Sequence, residues 1–171
     1  MAKQARDEEF TEYVASRSNW LRKVAYLLCG DWHRADDLVQ ETITKLYVHW
    51  SRISRVENVD GYARRVLVNT FLAEQRSPWW RRTSRTGSAP DIASVCVDLD
   101  ASLDLRRALA ALPPRQRATV VLRYYCDLTV DQAAEALGCS AGNVKSQSSR
   151  AVASLRSGLA TAAVNAERTS R

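Results

Sequence analysis

Apolar residues recur at three- and four-residue steps along most of the chain, the spacing of helices with one buried face. Phe10, Tyr13, Val14, Leu21, Val24, Ala25 and Leu28 mark a first helix, ending at Cys29-Gly30, where glycine can take the left-handed conformation that closes a helix. Asp31 follows in a capping position. Ala35, Leu38, Val39, Ile43, Leu46, Tyr47 and Trp50 mark a long second helix. A loop is expected from about Ser51 to Asp60, with Asp60 as the cap of a third helix whose Tyr62, Val66, Leu67 and Thr70 share a face.

The pattern then breaks. SPWWRRTSRTGSAPDIASVCVD, from Ser77 to Asp98, holds two prolines, a glycine and several serines and has no apolar stripe, so it reads as a linker. Its adjacent Trp79 and Trp80 are unusual in a free linker and are expected to pack on the first half or on a partner. The stripe restarts with Leu103, Leu109 and Leu112 and stops at Pro113-Pro114. A further helix is expected from about Pro114 to Tyr125. No stretch alternates as a strand does, so the fold class is all-α: two small helical domains joined by a flexible linker. The expected division is 1–85, a linker at 86–98, and 99–171.

The run LTVDQAAEALGCSAGNVKSQSSRAVASLRSGL reads as a helix-turn-helix. Thr129 can cap a short helix that turns Val130, Ala133, Ala134 and Leu137 inward. Gly138 supplies a left-handed turn, and Ser140 can cap the next helix, where Val144, Ala151, Leu155 and Leu159 line one face. At about 100° per residue, Gly142, Ser146, Ser149 and Ala153 point the other way, flanked by Lys145 and Arg150. Such a face suits a major groove about 12 Å wide, with Lys145 and Arg150 on phosphates or guanine edges, Asn143, Ser146 and Ser149 on either, and Ser140 and Gly142 at the DNA-binding end of the helix. The plainer reading is a solvated face of a helical hairpin. Nothing folded is expected beyond about Leu159, where the tail is short and polar.

Composition narrows the classes. The net charge of +6 is compatible with a polyanionic partner, and its distribution says more. From Gly61 to Arg85 there are six arginines (Arg64, Arg65, Arg76, Arg81, Arg82, Arg85) against the single acid Glu74, whereas Asp31 to Glu41 is acid-rich. Basic and acidic faces on one chain can serve two partners. No apolar run approaches the roughly 20 residues that cross a bilayer, and MAKQARDEEF lacks a signal-peptide core, so a cytoplasmic protein is expected. Cys29, Cys96, Cys126 and Cys139 form no CxxC pair, and His33 and His49 are the only histidines, so no metal and no cofactor are expected. Without a phosphate-binding glycine loop, a GxSxG or an HExxH, no enzyme activity and no small-molecule substrate are expected.

DDLVQET followed by KLY (Asp36 to Thr42, Lys45 to Tyr47) resembles the polymerase-binding helix of sigma-70 family factors. GYARRVLVNTFLAEQR resembles the helix by which they open and read the minus-ten element. ALPPRQRATVVLRYYCDLTVDQAAEALGCSAGNVKSQSSRAVASLR resembles their domain that reads the minus-thirty-five element. Two such domains and a short linker resemble the extracytoplasmic-function (ECF) group, and LLCGDWHRADDLVQET resembles its actinobacterial SigE-like subfamily. The resemblance spans about residues 8–160.

It implies a sigma domain 2 bundle and a sigma domain 4, with core RNA polymerase (β′ clamp helices and β flap), promoter DNA and an anti-sigma factor as partners. On the second helix it implies docking by Asp36, Asp37, Leu38, Gln40, Glu41 and Thr44. Asp37, Gln40, Glu41 and Thr44 make a ridge by spacing alone; Asp36 and Asp37 could instead simply complement the helix dipole. On the third helix it implies that Asn69 holds a flipped base, with the loop near Ile53 as pocket wall; Asn69 could also serve a local hydrogen bond. Many family members carry an aromatic where this chain has Ile53. Arg64, Arg65, Arg76, Arg81 and Arg82 read as backbone contacts to opened DNA. Two other functions fit parts of the pattern: a dimeric helix-turn-helix regulator on operators, and a protein-interaction module that sequesters a sigma factor.

Overall fold

The computed structural model describes residues 2–77 and 103–169. The chain divides into two compact units, Met1–Thr86 and Gly87–Arg171. Trp79, Trp80, Arg81, Arg82 and Cys96 lie outside the described residues.

The first unit packs three helices, α1 (Ala2–Cys29), α2 (Trp32–Ile53) and α3 (Val59–Arg76), pairwise around one core. Gly30 has a φ of 74° and closes α1, and the Asp31 carboxylate accepts from the Arg34 amide at 2.9 Å to open α2, as the sequence implies. On α2 the stripe Ala35, Leu38, Val39, Thr42, Leu46, Trp50, Ile53 is buried, and Thr42 satisfies its hydroxyl on the Leu38 carbonyl at 2.8 Å. Phe10 and Tyr13 pack on Trp50 with ring centroids 5.0 and 5.1 Å away. Leu67, Val68 and Phe71 of α3 complete the core.

Two expectations need correction here. α2 runs on to Ile53, so the loop is shorter than expected, and Asn58 rather than Asp60 caps α3, accepting from the Gly61 amide at 2.7 Å. Asp60 sits inside the first turn and binds across to α1, accepting from the Tyr13 hydroxyl and from Arg17, both at 3.1 Å.

The second unit contains α4 (Leu103–Ala111), α5 (Pro114–Val120), α6 (Val130–Leu137) and α7 (Ala141–Thr169), with α4, α5 and α6 all resting on α7. Val121–Tyr125 continues α5 as a π-helical turn, its wider winding completed by Cys126 N–H donating to the Val121 carbonyl at 3.0 Å. Arg117 donates to the Ala110 and Leu112 carbonyls at 2.7 and 2.9 Å, and Arg115 to the Leu137 carbonyl at 3.2 Å. Both arginines thereby serve carbonyls that helix ends leave open. The helix α7 extends about three turns past Leu159, contrary to the expectation that folding stops there. Alanine-rich sequence sustains a helix without an inward stripe to announce it.

Candidate nucleic-acid and protein interfaces

The helix-turn-helix is α6, its turn and the first turns of α7. Thr129 and Gln132 form a reciprocal capping box, the Thr129 hydroxyl accepting from the Gln132 amide at 3.2 Å while the Gln132 side chain accepts from the Thr129 amide at 2.9 Å. Gly138 ends α6 with φ 60° and ψ 43°. The Ser140 hydroxyl accepts from the Asn143 amide at 3.1 Å, which fixes the start of α7. Val144 and Ala151 of α7 are fully buried, and the small Ala133 and Ala134 of α6, the helix that packs on it, are buried too. Gly142, Asn143, Lys145, Ser146, Ser149 and Arg150 are all exposed, and neither Lys145 nor Arg150 forms an ion pair among the described residues. Ser140 is exposed too, but its hydroxyl is already engaged as the cap.

On α3, Arg65, Asn69 and Arg76 are exposed and, at four- and seven-residue steps, share one face. Arg64 lies about 100° away from that strip. It is half-buried, its guanidinium 5.6 Å from the Trp20 ring centroid and its Nε enclosed without an acceptor. Ile53 is a correction: with 1% exposure it is a core residue at the end of α2, so it offers no wall to a base. The exposed apolar residue of the α2–α3 loop is Val56, 43% exposed, beside the exposed Arg55. Arg81 and Arg82 lie outside the described residues.

On α2, Asp37, Gln40, Glu41 and Thr44 are exposed along one ridge. Thr44 donates its hydroxyl to the Gln40 carbonyl at 2.9 Å, and Glu41 pairs with Lys45 at 2.7 Å. Leu38 is the second correction, since it has no exposed surface and belongs to the core under the ridge. Asp36 is held by Arg22, whose Nη2 donates to Oδ2 at 3.1 Å, and this hydrogen bonding keeps the carboxyl below the usual carboxylate range. Arg22 in turn lies 4.5 Å over the Trp32 ring, which stacks on Tyr26 at 3.9 Å. Asp36 therefore works as a corner brace between α1 and α2.

Sequence reasoning missed two links between α2 and α3. Arg34 pairs with Glu74 at 3.1 Å, and Lys45 donates to the buried Thr70 hydroxyl at 2.9 Å. Burial pushes the Glu74 carboxyl above its ordinary value. A lysine and a threonine 25 residues apart give no periodic signal that would join them. No group of three or more metal-ligating side chains assembles among the described residues, and no helix there is long and apolar enough to cross a membrane.

A helical unit that closes on an open, polar helix-turn-helix, preceded by a second helical unit carrying acidic and basic faces, is the form a DNA-binding transcription factor takes, and the comparisons with known proteins supply the class. Residues 13–82 match the family described as Sigma-70 region 2, and residues 102–155 match Sigma-70, region 4. The RNA polymerase sigma-E factor of Streptomyces avermitilis is 39% identical over 155 residues, covering 86% of this chain and 83% of that protein. The protein of the same name from Streptomyces coelicolor is 37% identical over 155 residues, covering 86% and 84%. Among solved structures, the sigma factor RpoE of Bartonella quintana, crystallised with the anti-sigma factor NepR, aligns with a TM-score of 0.72 at 25% identity, covering 89% of this chain and 97% of that one. The chain belongs to the sigma-70 family of RNA polymerase sigma factors, in its ECF group. The free-standing operator-binding regulator is not favoured, since regions 2 and 4 occur together in family order.

Proposed function

We propose that this sigma factor divides its work among three surfaces, and that it acts in the cytoplasm by binding alone, leaving bond formation to the polymerase. Asp37, Gln40, Glu41 and Thr44 dock on the basic clamp helices of the β′ subunit, with Asp36 bracing the ridge from behind. Domain 4, which we take as 99–171 after a linker at 86–98, meets the β flap and lays α7 into the duplex at the minus-thirty-five element. There Lys145 and Arg150 supply charge, and Asn143, Ser146, Ser149 and the side-chain-free Gly142 allow close approach. Domain 2, taken as 1–85, holds the opened minus-ten strand along Arg65, Asn69 and Arg76, extended by Arg81 and Arg82, with Asn69 on an unstacked base. Trapping the opened strand favours the melted state without a chemical step.

The observation that carries this reading is the separation of surfaces in the first unit. The exposed acidic ridge lies on α2 and the exposed basic strip on α3, so one small bundle can address a protein and a nucleic acid together. Because RpoE of Bartonella quintana was crystallised with an anti-sigma factor, a regulator of that kind is also proposed as a partner here.

The test is run-off transcription from host promoters by core polymerase with and without this chain. Transcripts that depend on both the chain and promoter-like upstream sequence support the proposal. Initiation indifferent to the chain would refute it.

A further inference from the structure

The docking ridge and the strand-holding helix are joined by a polar seam that neither surface requires for itself. On α2, Arg34, Asp37, Glu41 and Lys45 follow one another at three- and four-residue steps, and on α3 Thr70 and Glu74 are four apart. Lys45 is shared within it: Nζ lies 2.7 Å from Glu41 Oε1, on the ridge, and 2.9 Å from Thr70 Oγ1, on α3. Thr70 is 4% exposed, and the next residue back is Asn69, on the proposed DNA face. Arg34 and Glu74 clamp the same two helices at 3.1 Å one helical turn further along α3. Glu74 also feels Lys45 as an attractive charge and Glu41 and Asp37 as repulsive ones, so the seam and the ridge share one field.

We infer that Lys45 is a positioning residue that carries polymerase docking at Glu41 into the seating of the strand-holding helix α3. The inference rests on the docking reading given above. In the free protein the Lys45 ammonium is divided between Glu41 and Thr70. A cationic group of the polymerase that pairs with Glu41 competes with Lys45 for that carboxylate. Lys45 is then left to Thr70 and to the neighbouring negative charge of Glu74, which draws the middle of α3 toward α2. Docking thus favours one placement of Asn69 and Arg76, which is the differential interaction that coupling between two sites demands. The ridge and the strip do not need to touch for this, because Lys45 and Thr70 span the gap.

Three variants of the full chain test the inference, each assembled with core polymerase. Lys45→Met removes both interactions, Thr70→Val removes only the link to α3 at nearly constant shape, and Lys45→Arg keeps a cation. Core affinity is measured by titration, folding by thermal denaturation, and opening by permanganate reactivity of minus-ten thymines at saturating holoenzyme. Lys45→Met and Thr70→Val are expected to lower the opened fraction about three- to tenfold, as befits a partly exposed charged hydrogen bond; core affinity should stay within about twofold in Thr70→Val and hold or rise in Lys45→Met, where Glu41 loses its internal competitor. Lys45→Arg should recover most of the opening. Unchanged opening in Lys45→Met overturns the inference. So does a joint fall of opening and core affinity that tracks reduced thermal stability, which would make Lys45 a purely structural brace. Glu41→Lys serves as the control for the reading beneath it. If Glu41→Lys still binds core normally, the docking assignment itself is wrong; if it fails to bind while Lys45→Met opens promoters normally, only the coupling is wrong.

Discussion

Asp36 and Asp37 are neighbours in the chain, yet the fold uses them differently. Asp37 stands exposed on the ridge, while Asp36 turns back to Arg22 and braces the α1–α2 corner. Hydrogen bonding to Arg22 lowers the Asp36 carboxyl below the value it has in the unfolded chain. The contribution of that pair is therefore complete above the ordinary aspartate range and is lost as pH falls through the lower folded value. Asp36→Asn should flatten the acid limb of the stability curve, measured by urea denaturation from about pH 3 to 7. Both side chains are more than a third exposed, so the loss at neutral pH should be only ~0.2–1 kcal/mol. Arg64 and Arg65 divide in a similar way. Arg65→Ala should weaken capture of opened strand, whereas Arg64→Ala, which empties the face over Trp20, should act first on folding stability. Asn69→Ala should reduce permanganate-reactive thymines while leaving closed-complex binding intact; normal opening would remove Asn69 from the site.

At the scale of elements, five helix ends were legible, while the end of α2, the start of α3 and the end of α7 were not. Gly30, Asp31, Thr129, Gly138 and Ser140 each do what their chemistry implies, because capping depends on one residue and its immediate neighbours. Thr129→Ala should cost about 1 kcal/mol, since it breaks the capping box, and thermal denaturation would read it. Arg150→Ala or Lys145→Ala should weaken promoter binding and shallow its salt dependence by about one unit for each phosphate the side chain had neutralised, while leaving polymerase association unchanged.

What the sequence hid depended on longer range. Ile53 looked like loop because Ser51 and Arg52 precede it, but it continues the Trp50 stripe and is taken into the core. Leu38 stands inside a resembling motif that groups it with the docking residues, although the apolar stripe already sets it on the inner face, where it is fully buried. The π turn at Val121–Tyr125, the internal use of Arg115 and Arg117, and the Lys45–Thr70 link all arise from interactions between elements, to which periodicity is blind. Candidate surfaces on α2, α3 and α7 were legible as faces; the members of each face that remain open to a partner were not.

At the scale of the whole molecule, a modest net charge is unevenly placed. The total is +6, yet the ridge of α2 exposes Asp37 and Glu41, while α3 and α7 expose basic groups. Such a molecule should bind promoter duplex weakly by itself, because few unpaired cations meet any one stretch of DNA. It should gain affinity when polymerase anchors it and both proposed DNA surfaces act at once, the arithmetic of linked sites. Replacing Asp37 and Glu41 together with lysine should abolish co-purification with core polymerase, since it sets like charges against a basic partner. Unchanged co-purification would refute the ridge as the docking surface.

The most direct test of the central claim compares promoter-duplex binding by the purified chain, by core polymerase, and by both together at one salt concentration. The account predicts sequence-specific binding only for the combination, together with opening of the minus-ten region. Tight, specific binding by the chain alone as a two-fold dimer, unaltered by core polymerase, would contradict it.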